Sequence, residues 1–285
     1  MPGTVLSGRY QLDQLRVESA GSSSGVLQYD ATDLSSLEAI SVRIVALSQL
    51  IDPALGSTTP DDALAAFEQQ FDIASSLRHP CIESVLDHGE VTFDGERYVF
   101  VVGERLAGGS LREFLDRGRR LTPSQALIVG IDICRALDAA AKQGISHSDL
   151  RPSRLVFGLD RRVRLVGFGA PLRPLDALGL EQATYSAPEL AEGGARSASS
   201  DVYSLALILV ESMTGEVPFI GETVSAAFAN RNGKLLPVNA DFGALAQVLE
   251  HAGRPTAAER FSPREFGQAL VQSAEKLPRP TPIDV

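Results

Sequence analysis

From Tyr10 to Val102, hydrophobic and polar residues alternate in short runs, a pattern typical of half-buried β-strands. One helical pattern interrupts the strands, since Leu64, Phe67 and Phe71 recur at roughly helical spacing after two aspartates that suit a helix N-terminus. The pattern therefore predicts a small, β-rich N-terminal part that contains one helix. Its strands are expected at Tyr10–Leu15, Val26–Ala31, Ala39–Leu47, Val85–Val91 and Tyr98–Val102.

The glycine-rich stretch Gly103–Gly109 is a candidate hinge, and beyond it the helical period dominates. Thr122 and Pro123 supply a helix N-cap and a proline at the first helical position. Two short strands are expected near Leu155–Phe157 and at Arg162–Leu165. The predicted fold class is α+β, with a small β-rich part followed by a larger helical part. Helices are expected at Ser110–Asp116, Pro123–Gln143, Ser199–Thr214, Val224–Arg231, Phe242–His251 and Pro263–Leu277.

Composition places the chain among globular proteins, because 44% of its 285 residues are hydrophobic and 22% are charged. The formal net charge of −10 offers no basic field to a nucleic acid backbone, so we expect no nucleic acid partner. Cys81 and Cys134 lack the spacing of a metal site, which favours buried, reduced thiols. No apolar run approaches the ~20 residues needed to cross a bilayer, so we expect no membrane span in this chain.

A set of short motifs follows one another in an order that is hard to attribute to chance. The motifs are Arg9-Tyr10, Leu77–Pro80, His147–Pro152, Arg162–Gly169, Tyr185–Glu189, Asp201–Ser204 and Thr214–Phe219. With them, the chain resembles the bacterial Ser/Thr protein kinase domain from Arg9 to about Lys276. The resemblance implies a two-lobed protein-kinase-like fold, with an N-lobe at 9–103, a C-lobe at 104–276 and an extended Pro-rich tail at 277–285.

The resemblance also implies which charged residues hold the fold. In the family, the glutamate of Ala-Pro-Glu pairs with an arginine late in the large lobe, and Glu189 and Arg260 occupy those positions. Asp201 fits the aspartate that braces the catalytic-loop backbone. We expect these three residues to have structural roles.

The positions that bind metal in the family are changed. In kinases, the aspartate of Asp-Phe-Gly and an asparagine of the catalytic loop hold the magnesium ions that contact ATP. Gly167 and Arg154 stand in those places here, so both protein ligands are missing. We therefore expect neither a metal nor another cofactor.

The positions that hold the nucleotide phosphates are changed as well. Arg43 replaces the lysine of the family, and Gln70 replaces the glutamate with which that lysine pairs. Ser19–Gly25 lacks the G-x-G-x-x-G spacing of the phosphate-covering loop and predicts a flexible hairpin tip. The ion pair that marks an active kinase is therefore not expected.

Asp149 remains where the family has its catalytic base, and it is either a base or a structural carboxylate that braces the loop. Together, the departures predict a pseudokinase, a kinase-like protein that is not an enzyme. The alternative is a weakly active or nucleotide-sensing protein that uses Asp149, with Arg43 or Arg154 gripping phosphate.

The tail after Lys276 is rich in proline, which prevents a helix and predicts an extended, exposed segment. Thr281 lies between two prolines, and Asp284 lies three residues after it. This arrangement resembles the preference of FHA domains, which read phosphothreonine and the residue at +3. We therefore predict a phosphosite and FHA recognition segment consisting of Thr281, Pro282, Ile283 and Asp284. The alternative is a proline-rich end that contains a threonine by chance.

The chain also resembles the actinobacterial pseudokinase domain that is attached to an MviN/MurJ-type lipid II flippase. That resemblance implies a cytoplasmic regulatory domain at the inner face of the membrane, as part of a larger membrane protein. It further implies that an active Ser/Thr kinase modifies the chain, that an FHA-domain protein then binds it, and that the role is control of peptidoglycan synthesis.

Overall fold

The computed structural model describes residues 1–16, 26–169 and 178–284, so the predicted hairpin tip at Ser19–Gly25 lies outside the described residues. Contacts divide the chain into two compact units. The N-terminal unit comprises Met1–Arg78 and Glu83–Leu106, and the C-terminal unit comprises His79–Ile82 and Ala107–Val285. Among the described residues, no helix is both long and apolar enough to span a membrane.

The strands of the N-terminal unit are β1 (Val5–Leu6), β2 (Tyr10–Leu15), β3 (Leu27–Asp33), β4 (Glu38–Ala46), β5 (Val85–Phe93) and β6 (Glu96–Glu104). They form an antiparallel sheet in the order β1-β2-β3-β4-β6-β5. On β4 the side chains of Val42 and Ile44 are fully buried, and they pack with Phe100 and Val102 of β6 in the core. Arg43 lies between them and therefore projects to the opposite face of the sheet.

Two helices accompany this sheet, α1 (Leu47–Leu50) and α2 (Pro60–Ser76). Helix α2 begins where the sequence favours a start, because Thr59 accepts a hydrogen bond from the Asp62 amide and the Asp62 side chain accepts one from the Thr59 amide. This capping box satisfies amides that have no partner within the helix.

The C-terminal unit is mainly helical, and most residues of its helix α6 (Ala198–Thr214) are buried. A two-stranded hairpin places Leu155 opposite Leu165 and so brings the segments on either side of it together. The elements are α3 (Leu111–Asp116), α4 (Pro123–Ala141), β7 (Leu155–Phe157), β8 (Val163–Leu165), α5 (Leu180–Tyr185), α6 (Ala198–Thr214), α7 (Val224–Arg231), α8 (Leu245–Ala252) and α9 (Pro263–Ser273).

The predicted α+β class is confirmed, and the long elements lie within a few residues of their predicted bounds. The sequence prediction missed β1, α1 and α5, which are too short to show a period. The last helix ends at Ser273, before the predicted Leu277, because a 3-10 turn follows it. Cys81 and Cys134 are both buried and form no disulfide, as expected.

Candidate functional site

The loop between α4 and β7 carries Asp149, whose side chain is 9% exposed. Arg154, on the 3-10 turn Pro152–Arg154, donates from Nε at 3.0 Å and from Nη2 at 2.6 Å to the same carboxylate oxygen, Oδ2. Nε of Arg151 lies 3.3 Å from the other oxygen, Oδ1, and Arg151 also forms an ion pair with Glu181 of α5. The buried carboxylate is thus balanced by two guanidinium groups, which offset its desolvation.

Gly167 follows β8 and has a φ of +91°, a backbone conformation that favours glycine. A Cβ atom at this position would lie only 3.0 Å from Nη1 of Arg154. The guanidinium of Arg154 therefore fills the space beside Gly167. Neither residue has a side-chain oxygen, and the described residues include no group of three His, Cys, Asp or Glu side chains that fits a metal ion. These positions do not fit a magnesium ion bound as in the family.

Asp201, in the first turn of α6, holds the backbone of the loop. Its Oδ2 accepts a hydrogen bond from the His147 amide at 2.7 Å, and its Oδ1 accepts one from the Ser148 amide at 2.8 Å. Burial raises the pKa of Asp201 to about 7, against the opposing effect of the two amides. Ser148 has a φ of +66°, so the carboxylate stabilises a backbone conformation that is unfavourable for serine.

His147 is the buried centre of the same loop. Its Nε2 lies 3.0 Å from the Val166 carbonyl, and its Nδ1 accepts a hydrogen bond from the Asp149 amide at 3.3 Å. The ring also packs edge-on against Phe168, with 4.7 Å between centroids. Burial lowers the pKa of His147 to about 4, so the ring is neutral near pH 7 with the proton on Nε2. His147 thereby links the loop to the segment that carries Gly167.

In the N-terminal unit, Arg43 has an acidic partner that the sequence analysis missed. Its Nη2 lies 3.1 Å from both carboxylate oxygens of Glu83, whose side chain is 8% exposed. Gln70, which stands where the family has the glutamate that pairs with the lysine, is half-buried on α2. The sequence does offer a signal, since Glu83 directly follows the apolar residues Cys81 and Ile82. All three are buried in the structure, and a buried carboxylate requires a partner.

Glu189 and Arg260 form a bidentate ion pair, with Nη1–Oε1 at 2.9 Å and Nη2–Oε2 at 2.8 Å. Burial by itself would raise the pKa of Glu189, but the hydrogen bonds from Arg260 hold it below its ordinary value. The pair joins the 3-10 turn Pro188–Glu192 to the segment before α9.

The tail is exposed at residues 278–282 and at Asp284, as the sequence predicts, and Ile283 departs from that expectation. Thr281 and Asp284 are exposed, but Ile283 between them is only 7% exposed. Pro282 is exposed, and Gln125 of α4 contacts both it and Thr281. The carbonyls of Pro278, Thr281 and Pro282 lie within hydrogen-bond distance of Ser124 or Gln125 at the start of α4. Sequence patterns of this length do not show such contacts.

Comparison with curated proteins finds relatives that are named as kinases. Serine/threonine-protein kinase PknB of Mycobacterium tuberculosis is 30% identical over 254 residues, which cover 86% of this chain and 39% of that protein. PknB of Mycobacterium leprae is 34% identical over 170 residues, 57% of this chain and 27% of that protein. A probable serine/threonine-protein kinase of Streptomyces coelicolor is 31% identical over 226 residues, 76% and 32% respectively. The chain thus spans less than two fifths of the length of these relatives.

These relatives correct the expectation that the chain is not an enzyme, because each carries the name of a Ser/Thr protein kinase. The expectation rested on five departures from the family pattern, at the loop Ser19–Gly25 and at Arg43, Gln70, Arg154 and Gly167. It gave too little weight to Asp149, which keeps its place in the loop, and to the positive charge that Arg154 brings to the same spot. Missing metal ligands alone are therefore no ground for excluding an enzyme.

The family model described as "Protein kinase domain" matches residues 43–252, which is most of the chain. The match includes the loop of Asp149, Gly167 and the Glu189 side of the ion pair with Arg260. Together with a relative of 30% identity over 86% of the chain, it establishes the family. The chain belongs to the protein kinase family.

Proposed function

We propose that this protein kinase domain acts as a phosphorylation-dependent regulatory scaffold. In this proposal an active Ser/Thr kinase phosphorylates Thr281, and an FHA-domain protein then binds the phosphorylated tail. The observation that carries the proposal is the exposure of Thr281 and Asp284 on a tail that follows the last helix. A phosphate adds about −1.5 to −2 charges and three acceptor oxygens, which suit the arginine cluster of a phosphothreonine reader.

The wider role that we propose is control of peptidoglycan synthesis, with the chain at the inner face of the membrane as part of a larger membrane protein. Support for this part comes from the resemblance to the domain attached to MviN/MurJ-type flippases. The scaffold role does not require phosphotransfer by the chain itself, so it is compatible with membership of an enzyme family.

The test is to incubate the chain with an active Ser/Thr kinase, map the phosphosites, and measure binding of an FHA domain by calorimetry. We expect phosphate at Thr281 and binding that Thr281→Ala abolishes. Asp284→Ala should weaken binding by roughly ten- to a hundredfold, since a lost charge-assisted contact costs roughly 1.5–3 kcal/mol. Phosphate at other sites only, or equal binding by Thr281→Ala, would refute the scaffold proposal.

A second candidate is phosphotransfer or nucleotide sensing at Asp149, and one observation favours it. Oδ2 of Asp149 is held by Arg154, whereas Oδ1 accepts no hydrogen bond from the part of the chain that the structure describes. Oδ1 is itself buried and lies 3.3 Å from Nε of Arg151, so it can accept a proton from a substrate hydroxyl once Arg151 moves away. Arg154 supplies positive charge for a phosphate group beside it.

Two measurements test this candidate. Transfer of labelled phosphate from ATP to a basic substrate protein should exceed that of Asp149→Asn, which keeps the size of the side chain and removes the base. ATP, with and without magnesium, should raise the melting temperature by mass action if it binds the folded state. The second candidate would be refuted if phosphate transfer does not exceed that of Asp149→Asn and millimolar ATP does not raise the melting temperature.

A further inference from the structure

The tail occupies a docking site formed by the start of α4. The carbonyl of Pro278 accepts a hydrogen bond from Oγ of Ser124 at 2.7 Å. Nε2 of Gln125 lies 3.2 Å from the carbonyl and 3.2 Å from the hydroxyl of Thr281, and 3.3 Å from the carbonyl of Pro282. Ser124 and Gln125 are both buried. Two neighbouring residues of the helix thus hold three carbonyl groups of the tail.

Contacts on the far side of Thr281 complete the site. Ile283 is buried, and the carbonyl of the next residue, Asp284, accepts a hydrogen bond from Arg119. Nη1 of Arg119 also lies 3.9 Å from the Asp284 carboxylate. Burial of an isoleucine side chain and a charge-assisted hydrogen bond are among the stronger contacts that so short a segment can make. Thr281 is therefore held from both sides although its side chain is exposed.

A docked tail is poorly accessible both to a kinase and to a phosphothreonine-binding domain. Recognition of an extended peptide uses its backbone and its alternate side chains. In the docked tail, the carbonyls of Thr281 and Pro282 are already bound, and the side chain at +2, Ile283, is buried. The hydroxyl that would receive phosphate is itself within hydrogen-bond distance of Gln125.

We propose that the surface formed by Arg119, Ser124 and Gln125 is a latch, and that Thr281 is phosphorylated only when the tail has left it. This inference rests on the proposed function, because it assigns a gate to the same phosphosite. The apparent efficiency of the kinase is then proportional to the fraction of chains whose tail is released. Any change that weakens the latch raises phosphorylation without altering the segment that the kinase recognises.

Gln125→Glu is the most selective variant. Oε1 of Gln125 accepts a hydrogen bond from the Thr122 amide at 3.0 Å in the capping box of α4, and a glutamate keeps this acceptor. The substitution replaces the donor Nε2 by an oxygen that repels the tail carbonyls. Gln143→Glu is the matched control, since it makes the same chemical change at an exposed residue beyond the other end of α4.

The readout is the initial rate of phosphate incorporation at Thr281 by one active Ser/Thr kinase. We expect Gln125→Glu to raise the rate by about tenfold, and Gln143→Glu to leave it unchanged. Ser124→Ala, which removes the donor to Pro278 and retains a good helix former, should raise the rate in the same direction. It provides a second test if Gln125→Glu folds poorly. Hydrogen exchange of the tail amides should increase in both latch variants.

A synthetic peptide of residues 276–284 separates failure of the latch from failure of the proposed function. We expect the kinase to phosphorylate the peptide faster than the folded chain, at a rate that the latch variants approach. If the peptide is phosphorylated and the chain, Gln125→Glu and Ser124→Ala all match its rate, the latch is refuted and the phosphosite stands. If neither peptide nor chain receives phosphate at Thr281, the proposed function fails together with the latch.

Discussion

Two buried titratable residues, His147 in the loop between α4 and β7 and Asp201 at the start of α6, act oppositely on stability as the pH changes. Burial lowers the pKa of His147 to about 4 from an ordinary value of 6.5. Between these values the unfolded chain binds a proton that the folded chain does not, so His147 lowers stability as the pH falls. Burial raises the pKa of Asp201 to about 7, so the folded state holds a proton that the unfolded chain releases. Asp201 therefore raises stability as the pH falls from about 7 towards its ordinary pKa of 3.8.

Comparison of the wild type with His147→Gln isolates the histidine. As the pH falls from 6.5 to 4, we expect the stability advantage of the wild type over the variant to shrink by about 1.4 kcal/mol per pH unit. Urea unfolding of both proteins across this range measures it, and the effect of Asp201 cancels in the difference. A difference that stays constant with pH would contradict a neutral, buried His147.

For single residues, the separation along the chain decides which contacts of the site can be predicted from the sequence. Asp149 and Arg154 are five residues apart in a known motif, so their proximity is predictable. Gln125 and Thr281 are 156 residues apart, and their contact exists only because the tail folds back onto α4. The pairing of Arg43 with Glu83 likewise depends on how separate strands and loops pack. A local pattern contains no information about such distant partners.

At the scale of elements, helix starts are well encoded and short elements are not. Capping boxes begin α2, α3, α4 and α9, each with a threonine or serine cap whose partner lies three residues later. These signals, together with the long hydrophobic period, place the long helices and strands within a few residues. Elements of two to six residues such as β1 and α5 form through tertiary contacts and leave no period to read.

The cap of α2 provides a test at this scale. Thr59→Ala removes the acceptor for the Asp62 amide and leaves a donor of the first turn without its partner. We expect the free energy of unfolding to fall by about 1 kcal/mol. Thr59→Ser keeps the hydroxyl and should retain most of the stability. Urea denaturation of the three proteins measures both effects, and equal loss in the alanine and serine variants would contradict a capping role.

At the scale of the whole molecule, Arg260 holds together three segments of the C-terminal unit, two of which are more than 60 residues from it in sequence. Besides the two oxygens of Glu189, its guanidinium contacts the carbonyls of Ser199, Arg254 and Pro255. The cation also lies over the ring of Tyr203, 4.7 Å from the centroid. The arginine thus donates hydrogen bonds to acceptors at the start of α6, in the turn that carries Glu189 and in the loop before α9.

Loss of this side chain should therefore affect the unit far more than loss of a surface arginine. We expect Arg260→Ala to lower the free energy of unfolding by roughly 3–5 kcal/mol, because the arginine side chain is fully buried and its loss leaves the half-buried Glu189 carboxylate without its cationic partner. Arg279→Ala, at an exposed tail position, should change it by less than about 0.5 kcal/mol. Urea denaturation measures the loss, and hydrogen exchange of α6 peptides locates it.

A double variant distinguishes a paired charge from lost packing. Glu189→Gln combined with Arg260→Met removes both charges and keeps two side chains of similar length, so no buried charge is left without a partner. If the cost of Arg260→Ala comes mainly from the unpaired Glu189 carboxylate, the double variant should be more stable than Arg260→Ala. The effects of the single substitutions should then not add. If the double variant is as unstable as the sum of its parts, the hydrogen bonds from Arg260 to the three carbonyls, rather than the ion pair, hold the unit together.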